Sequence, residues 1–226
     1  KSREELVQEL HGKIYFNPLI QNYEMADKFI AGNVVEKVKN IEDYLSRHPN
    51  DLAAQESLKA LKNSIPEPIS FEELDFNFGE RWIPANIYSQ YASHLFKTGV
   101  DIHYSPSVDE FSVKAQFSNA NIYEKYAIKS QSRLFDGIAL MKHALVNTTP
   151  NITKKIIVDD KEVKVRDSEA IQLANSKIDE IRNGFTDWLN EQSPEFKQNL
   201  AELYNSTYNC YVRPKYDGSH QTFPSL

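Results

Sequence analysis

The run DSEAIQLANSKIDEIRNGFTDWL, residues 167–189, constrains this chain more than any other stretch. Ile171, Ala174, Ile178, Ile181, Phe185 and Trp188 recur at steps of three and four, which sets them along one flank of a long helix. Asp167 stands where such a helix wants an N-cap, because a short carboxylate can accept from the first unpaired amides. An apolar flank of this length calls for other elements to cover it.

Helical spacing recurs along the chain. SREELVQEL carries Ser2 as a cap and Glu5 at the third helical position, and Gly12 interrupts it. Val34, Val38, Ile41 and Leu45 share a face until SRHPND stops the pattern, and a second helix over about 52–62 carries Leu58 and Leu61, which predicts a helical hairpin. After FGERWIP, Pro84 suits a first helical turn, and Tyr88, Tyr91, Leu95 and Phe96 form an apolar stripe with Trp82 as a packing anchor just before it. Leu134, Ile138, Met141 and Leu145 predict a helix over about 132–147, and Phe196, Leu200, Leu203 and Tyr204 predict a final one.

Extended segments are fewer. KIYFNP reads as a short extended piece ending at Pro18, and VDIHY with EFSVKAQF, around SPSVD, alternates at period two as a hairpin does. KKIIVDDKEVKV predicts a second hairpin, turning at Asp159–Asp160 and exposed because of its charges, while NIYEKYAI fits neither period cleanly. Regular alternation of strands and helices is missing, which excludes a Rossmann-like sheet. The expected fold class is therefore mainly α, an α+β helical domain with one or two small antiparallel hairpins.

The strongest boundary is SIPEPISFEEL, where Pro66 and Pro68 suit neither a helix interior nor a central strand. It divides the chain into a helical N-terminal subdomain over 1–64 and a main α+β domain over 65–210, followed by a segment over 211–226. Hydrophobic residues at 40% and charged residues at 26% describe an ordinary globular chain, and 226 residues suffice for a sizeable core. A net charge of -6 argues against a surface that is basic throughout but leaves room for a local basic patch. No run of about 18 apolar residues would span a membrane, and the charged opening is unlike a signal peptide. The start without methionine is expected of an excised or processed chain, and a cytoplasmic setting is the default.

The sequence carries no recognised catalytic pattern. Seven glycines include none in a phosphate-cradling spacing, so an ATPase core is not expected. Asn17–Pro18 lacks the further proline and tyrosine of an adenine-methyltransferase motif. His11, His48, His94, His103, His143 and His220 are scattered, and the single cysteine, Cys210, excludes an intramolecular disulfide and a cysteine-cluster zinc site. No metal ligand set and no catalytic residue are assigned. Asp217, Ser219 and His220 contain the residue types of a nucleophilic triad, yet such residues normally converge from separate elements. A nuclease or hydrolase using Asp217 and His220 is the enzymatic alternative.

Basic residues gather in three places: Lys125, Lys129 and Arg133; the second hairpin, with Lys154, Lys155, Lys161, Lys164 and Arg166 diluted by acids; and Arg213 with Lys215 among Tyr208, Tyr211 and Tyr216. The last mixture of rings and cations can stack bases or clamp phosphates. It can equally be a solvated face beside packed tyrosines.

YNSTYNCYVRPKYDGSHQTFPSL, residues 204–226, resembles a motif that runs Tyr-Asn, Phe-Asn, Arg and then Asp-Gly-Ser-His in very large proteins of phages, conjugative plasmids and integrative elements. Those proteins resemble an adenine-specific DNA methylase joined to a Swi/Snf-like, DEAD-type helicase, and include relatives of antirestriction proteins. The likeness extends through HGKIYFNP, FIAGNVVEKV, FGERWIPANIYSQYASHLF and the residue 167–189 run, in the family's order. Gln221, Ser225, Leu226 and Tyr208 depart from the family's leucine, glycine, methionine and phenylalanine, and Asn77–Phe78 stands where leucine would precede Gly79.

The resemblance implies a linker between a methylase-like part and a helicase core, with 211–226 as the junction toward that core and no catalysis of its own. ATP, magnesium and S-adenosylmethionine would serve the parent, not this fragment. The partners implied are the flanking methylase-like and helicase domains and DNA, with no membrane, in a bacterial cytoplasm or a virion. Lys177, Arg182, Arg213, Lys215 and His220 are the residues implied for phosphate contact, and Tyr211 or Tyr216 for stacking. Gly12, Tyr15, Gly32, Asn33, Trp82, Pro84, Phe185, Trp188, Asn205, Asn209, Asp217, Gly218 and Ser219 carry the motif and are expected to be structural. The competing expectation is a purely structural interdomain scaffold.

Overall fold

The computed structural model describes residues 2–215. In chain order these form α1 (Arg3–Glu9), β1 (Ile14–Asn17), β2 (Asn22–Met25), α2 (Ala26–Phe29), β3 (Gly32–Asn33), α3 (Val34–Arg47) and α4 (Leu52–Ser64). A single 3-10 turn, Phe71–Glu73, leads to α5 (Ala85–Phe96), β4 (Val100–Ser105), β5 (Glu110–Ala115), a π-helical turn (Asn121–Lys125), β6 (Ile128–Lys129) and β7 (Leu134–Phe135). Then come α6 (Gly137–Val146), β8 (Thr153–Val158), β9 (Lys161–Arg166), α7 (Ser168–Asn190), α8 (Pro194–Tyr208) and β10 (Tyr211–Val212). The fold is mainly α with short antiparallel pairings, an α+β arrangement. The two foreseen hairpins, β4–β5 and β8–β9, are joined by three shorter pairings, β1–β2, β6–β7 and β3–β10.

The chain divides into two units. One takes the described parts of Lys1–Glu72 and Ala201–Leu226; the other is Glu73–Leu200. Beside the expected limits at 64 and 210, these divisions assign the second half of α8 and β10 to the N-terminal residues. Long-range hydrogen bonds within the first unit account for that assignment, as described below.

In the first unit, α1 opens with a capping box: Ser2 Oγ accepts from the Glu5 amide and the Ser2 amide donates to Glu5 Oε2. Phe29, Val34, Val38, Ile41 and Leu61 form its core, with Tyr15, Leu45, Leu58 and Val212 packed against them. Antiparallel pairing of β1 with β2, Ile14 opposite Met25 through Asn17 opposite Asn22, extends the single piece read at KIYFNP. Buried Ser57 on α4 donates to the Phe16 carbonyl at 2.7 Å, which ties that helix to β1.

In the second unit the flank of α7 is buried as its spacing predicts, at Ile171, Ala174, Ile178, Ile181, Phe185 and Trp188. Tyr88, Tyr91 and Phe96 of α5 are also buried. Phe78 lies edge-on to Tyr88 and Tyr91, with centroids at 5.0 and 5.6 Å, and 5.1 Å from Phe185, so one aromatic cluster joins three segments. Asp167 caps α7 through the Ala170 amide.

Three local readings change. The helix expected from Ser132 begins at Gly137, because Ser130 and Arg133 close a turn, Leu134–Phe135 pairs with Ile128–Lys129, and Asp136 Oδ1 accepts from the Ala139 amide at 2.8 Å. Pro84 is the N-cap of α5, with ψ of 135°, and not a residue of its first turn. NIYEKYAI resolves into the π-helical turn followed by β6.

Candidate functional site

The last described residues are held by a pairing that joins distant parts of the sequence. Tyr211 lies opposite Asn33 and Val212 opposite Gly32, and the Val34 amide donates to the Cys210 carbonyl at 3.1 Å. Gly32 takes φ of +78°, which glycine adopts without a Cβ penalty, and Asn33 Oδ1 caps α3 through the Glu36 amide at 3.0 Å. Cys210 is buried and its thiol faces the Thr207 carbonyl at 3.6 Å, the packing role expected of a lone cysteine.

Alternation along a strand then sorts the side chains. Val212 turns into the core, while Tyr211 is 61% exposed. Arg213 and Lys215 follow, both exposed and without an ion-pair partner among the described residues. A ring and two cations at one anchored strand end can stack on a base and neutralise phosphates. Tyr216, Asp217, Gly218, Ser219 and His220 lie outside the described residues, and with them the enzymatic alternative.

Asn205 on α8 and Asn209 just past its end are structural. Asn205 Oδ1 accepts from the Ile69 amide and Nδ2 donates to the Ile69 carbonyl, each at 2.9 Å. Asn209 Nδ2 donates to the Glu67 carbonyl at 2.7 Å. The two side chains hold the proline-flanked segment as a neighbouring strand would, supplying partners to main-chain groups that Pro66 and Pro68 keep out of regular structure.

The remaining candidates divide. Lys177, half-buried on α7, lies 3.7 Å from Glu180 one turn on. Arg182 donates from Nη1 to the Phe78 carbonyl at 3.0 Å and to the Ala144 carbonyl. A cation there meets the C-terminal end of α6, where the Ala144 carbonyl also accepts from the Asn147 amide, so its guanidinium holds two segments together. Between these carbonyls runs Gly79, with φ of +93°, whose amide donates to the Tyr88 hydroxyl at 3.0 Å; that hydroxyl donates to the Glu80 carbonyl at 2.8 Å. Burial pushes the Tyr88 and Tyr91 phenols well above the ordinary tyrosine range.

The other motif residues pack as well. Tyr15 stacks on Phe29 at 5.6 Å, Gly12 turns the chain at φ of +77°, and Trp82 donates from Nε1 to Glu80 at 2.8 Å beside Phe76. Phe185 stacks on Trp188 at 6.1 Å.

Two polar features were not singled out as sites in the sequence. Arg81 Nε donates to Asp109 at 2.8 Å and lies over the Tyr104 and Phe111 rings, at 5.1 and 4.7 Å, while Tyr104 donates to the same carboxylate at 2.7 Å. Hydrogen bonds from Arg81, then Tyr104, hold the Asp109 carboxyl below its ordinary range. Only the fold brings Arg81 to Asp109, although the Asp109 turn was legible. The second feature is the placement of the β8–β9 cations, which follows from register.

Among the described residues no group of three or more histidine, cysteine, aspartate or glutamate side chains could hold a metal ion. None of the described helices is long and apolar enough to cross a membrane. No curated protein and no solved structure matches the chain. One family profile does, over residues 77–210, from the Phe78–Gly79 turn through the Asn205 and Asn209 pair to Cys210. The chain belongs to the family described as Domain of unknown function (DUF8437).

Proposed function

We propose that this chain is a non-catalytic accessory domain that engages DNA through the strand end Tyr211–Lys215, within a longer methylase- and helicase-like protein of a mobile element. The observation that carries the reading is the joint exposure of Tyr211 on β10 and of Arg213 and Lys215 just beyond it, where Val212 anchors the strand in the core. The order of motifs along the sequence supports the parent. On this reading the domain works beside the methylase-like and helicase parts in a bacterial cytoplasm, and ATP, magnesium and S-adenosylmethionine belong to those parts.

The test is binding to duplex, single-stranded and branched DNA at two salt concentrations, with Arg213→Ala plus Lys215→Ala as the variant. Salt-sensitive binding that the variant weakens supports the reading. A second reading, an interdomain scaffold, is favoured by Asn205, Asn209 and Arg182, whose polar groups serve internal carbonyls and amides. Absence of binding to every DNA form, with retained binding to the helicase part, would favour it.

A further inference from the structure

The β8–β9 hairpin carries cations on both of its faces, three on one and two on the other. The register places Lys155 opposite Lys164, Ile157 opposite Glu162 and Thr153 opposite Arg166 on one face; Lys154 opposite Val165, Ile156 opposite Val163 and Val158 opposite Lys161 lie on the other. Its turn, Asp159–Asp160, has φ of +50° and +59°, the left-handed pair that a two-residue turn needs to match strand twist. The first face is exposed at Lys155, Ile157, Glu162, Lys164 and Arg166, and the second at Ile156, Val158, Lys161 and Val163.

Two lysines directly opposite one another repel, because cross-strand side chains start only about 5 Å apart. Glu162 answers Lys155 at 2.9 Å, but Lys164 and Arg166 have no ion-pair partner among the described residues. They alternate along β9, so their side chains leave the strand about 6.6 Å apart on the same face. The hairpin carries five cations to three carboxylates, within a chain of net charge -6. That local reversal fits a polyanion presenting repeated charges.

An acidic peptide added as a strand would need a free edge. On β8 that edge is already engaged at Lys155: its amide donates to Gln131 Oε1 at 2.6 Å and Gln131 Nε2 donates to its carbonyl at 3.4 Å. The exposed cations favour side-chain contact with phosphates, and a two-stranded ribbon is narrow enough for a duplex groove.

We infer that the basic face of β8–β9 is a second nucleic-acid contact, in which Lys155, Lys164 and Arg166 neutralise backbone phosphates without reading sequence. It rests on the reading that the chain engages DNA, yet uses residues separate from the strand end.

Labelled duplex DNA is titrated with wild type, with Lys164→Ala plus Arg166→Ala, and with Arg213→Ala plus Lys215→Ala, across a salt series. Loss of two phosphate contacts lowers the magnitude of the log–log salt slope by about 1.8. The hairpin variant is expected to show that decrease and weaker binding, with unchanged thermal unfolding. An unchanged hairpin variant beside a weakened strand-end variant overturns this inference and leaves the strand-end reading standing. The converse pattern keeps the hairpin and removes the strand end. No DNA binding by wild type removes both. Competition by polyglutamate as effective as that by unlabelled DNA of equal charge overturns the assignment in favour of an acidic polypeptide.

Discussion

The Asn205 carboxamide brackets the main chain of Ile69, accepting from its amide and donating to its carbonyl, across 136 positions of sequence. It therefore fastens α8 to a proline-flanked segment that forms no helix or strand of its own. Asn205→Ala would leave both Ile69 groups without this partner and is expected to destabilise by about 2–3 kcal/mol. Asn209→Ala, which removes the exposed bond to Glu67 and the bond to Asn205 Oδ1, should cost about 1 kcal/mol. Urea unfolding gives the magnitudes, and hydrogen exchange at the Ile69 amide should accelerate only in the first variant.

Gly79 is fixed by geometry as well as by φ. A Cβ there would lie 1.8 Å from the Leu145 carbonyl oxygen, whereas one at Gly12 meets nothing within 4 Å although φ is +77°. Gly79→Ala is expected to cost more than about 3 kcal/mol, since backbone on both sides must move, and Gly12→Ala about 1 kcal/mol. Thermal unfolding of the two variants should separate them clearly.

Gly184 sits within α7, where alanine would ordinarily stabilise by about 1 kcal/mol. Its added Cβ would meet the Tyr91 hydroxyl oxygen at 2.7 Å, and that hydroxyl donates to the Ile181 carbonyl at 2.6 Å inside the aromatic cluster. Gly184→Ala should therefore destabilise the wild type but stabilise a Tyr91→Phe background. A double-mutant cycle should return a coupling of about 1–2 kcal/mol, and additivity would contradict the account.

These relationships mark what was legible in the sequence. The flank of α7 and the two longer hairpins could be read because each repeats at the period of its own backbone. The helix expected from Ser132 failed at its start because Leu134 matches helical spacing while its amide neighbourhood closes a strand turn. Tyr211 and Val212 could not be paired with Asn33 and Gly32 from spacing, since nothing local selects a partner so distant. Likewise Arg182 looked available for phosphate until Phe78 and Ala144 were brought to it. Of the candidate site, Arg213 and Lys215 were legible as cations beside tyrosines; their outward setting comes from the anchoring of Val212.

Tyr88 and Tyr91 bring a pH dependence. Burial raises both phenols above their ordinary value, so the unfolded chain releases these protons first. Their contribution is intact below about pH 10 and is lost as pH rises beyond it. Among the twelve tyrosines, phenolate absorbance should show Tyr88 and Tyr91 titrating late together with loss of the folded circular dichroism signal, while Tyr104, raised by its hydrogen bond to Asp109, is also delayed. In Tyr88→Phe the component coupled to unfolding should come from Tyr91.

DNA engagement at the strand end is the central claim, and the salt dependence of binding tests it most directly. Wild type should bind duplex or single-stranded DNA with an affinity that falls steeply with salt, and Arg213→Ala plus Lys215→Ala should lower the magnitude of the duplex slope by about 1.8. Tyr211→Ala should weaken single-stranded binding by about 1–3 kcal/mol with the slope unchanged. Binding whose slope and affinity are the same in wild type and in the Arg213, Lys215 variant would contradict the claim.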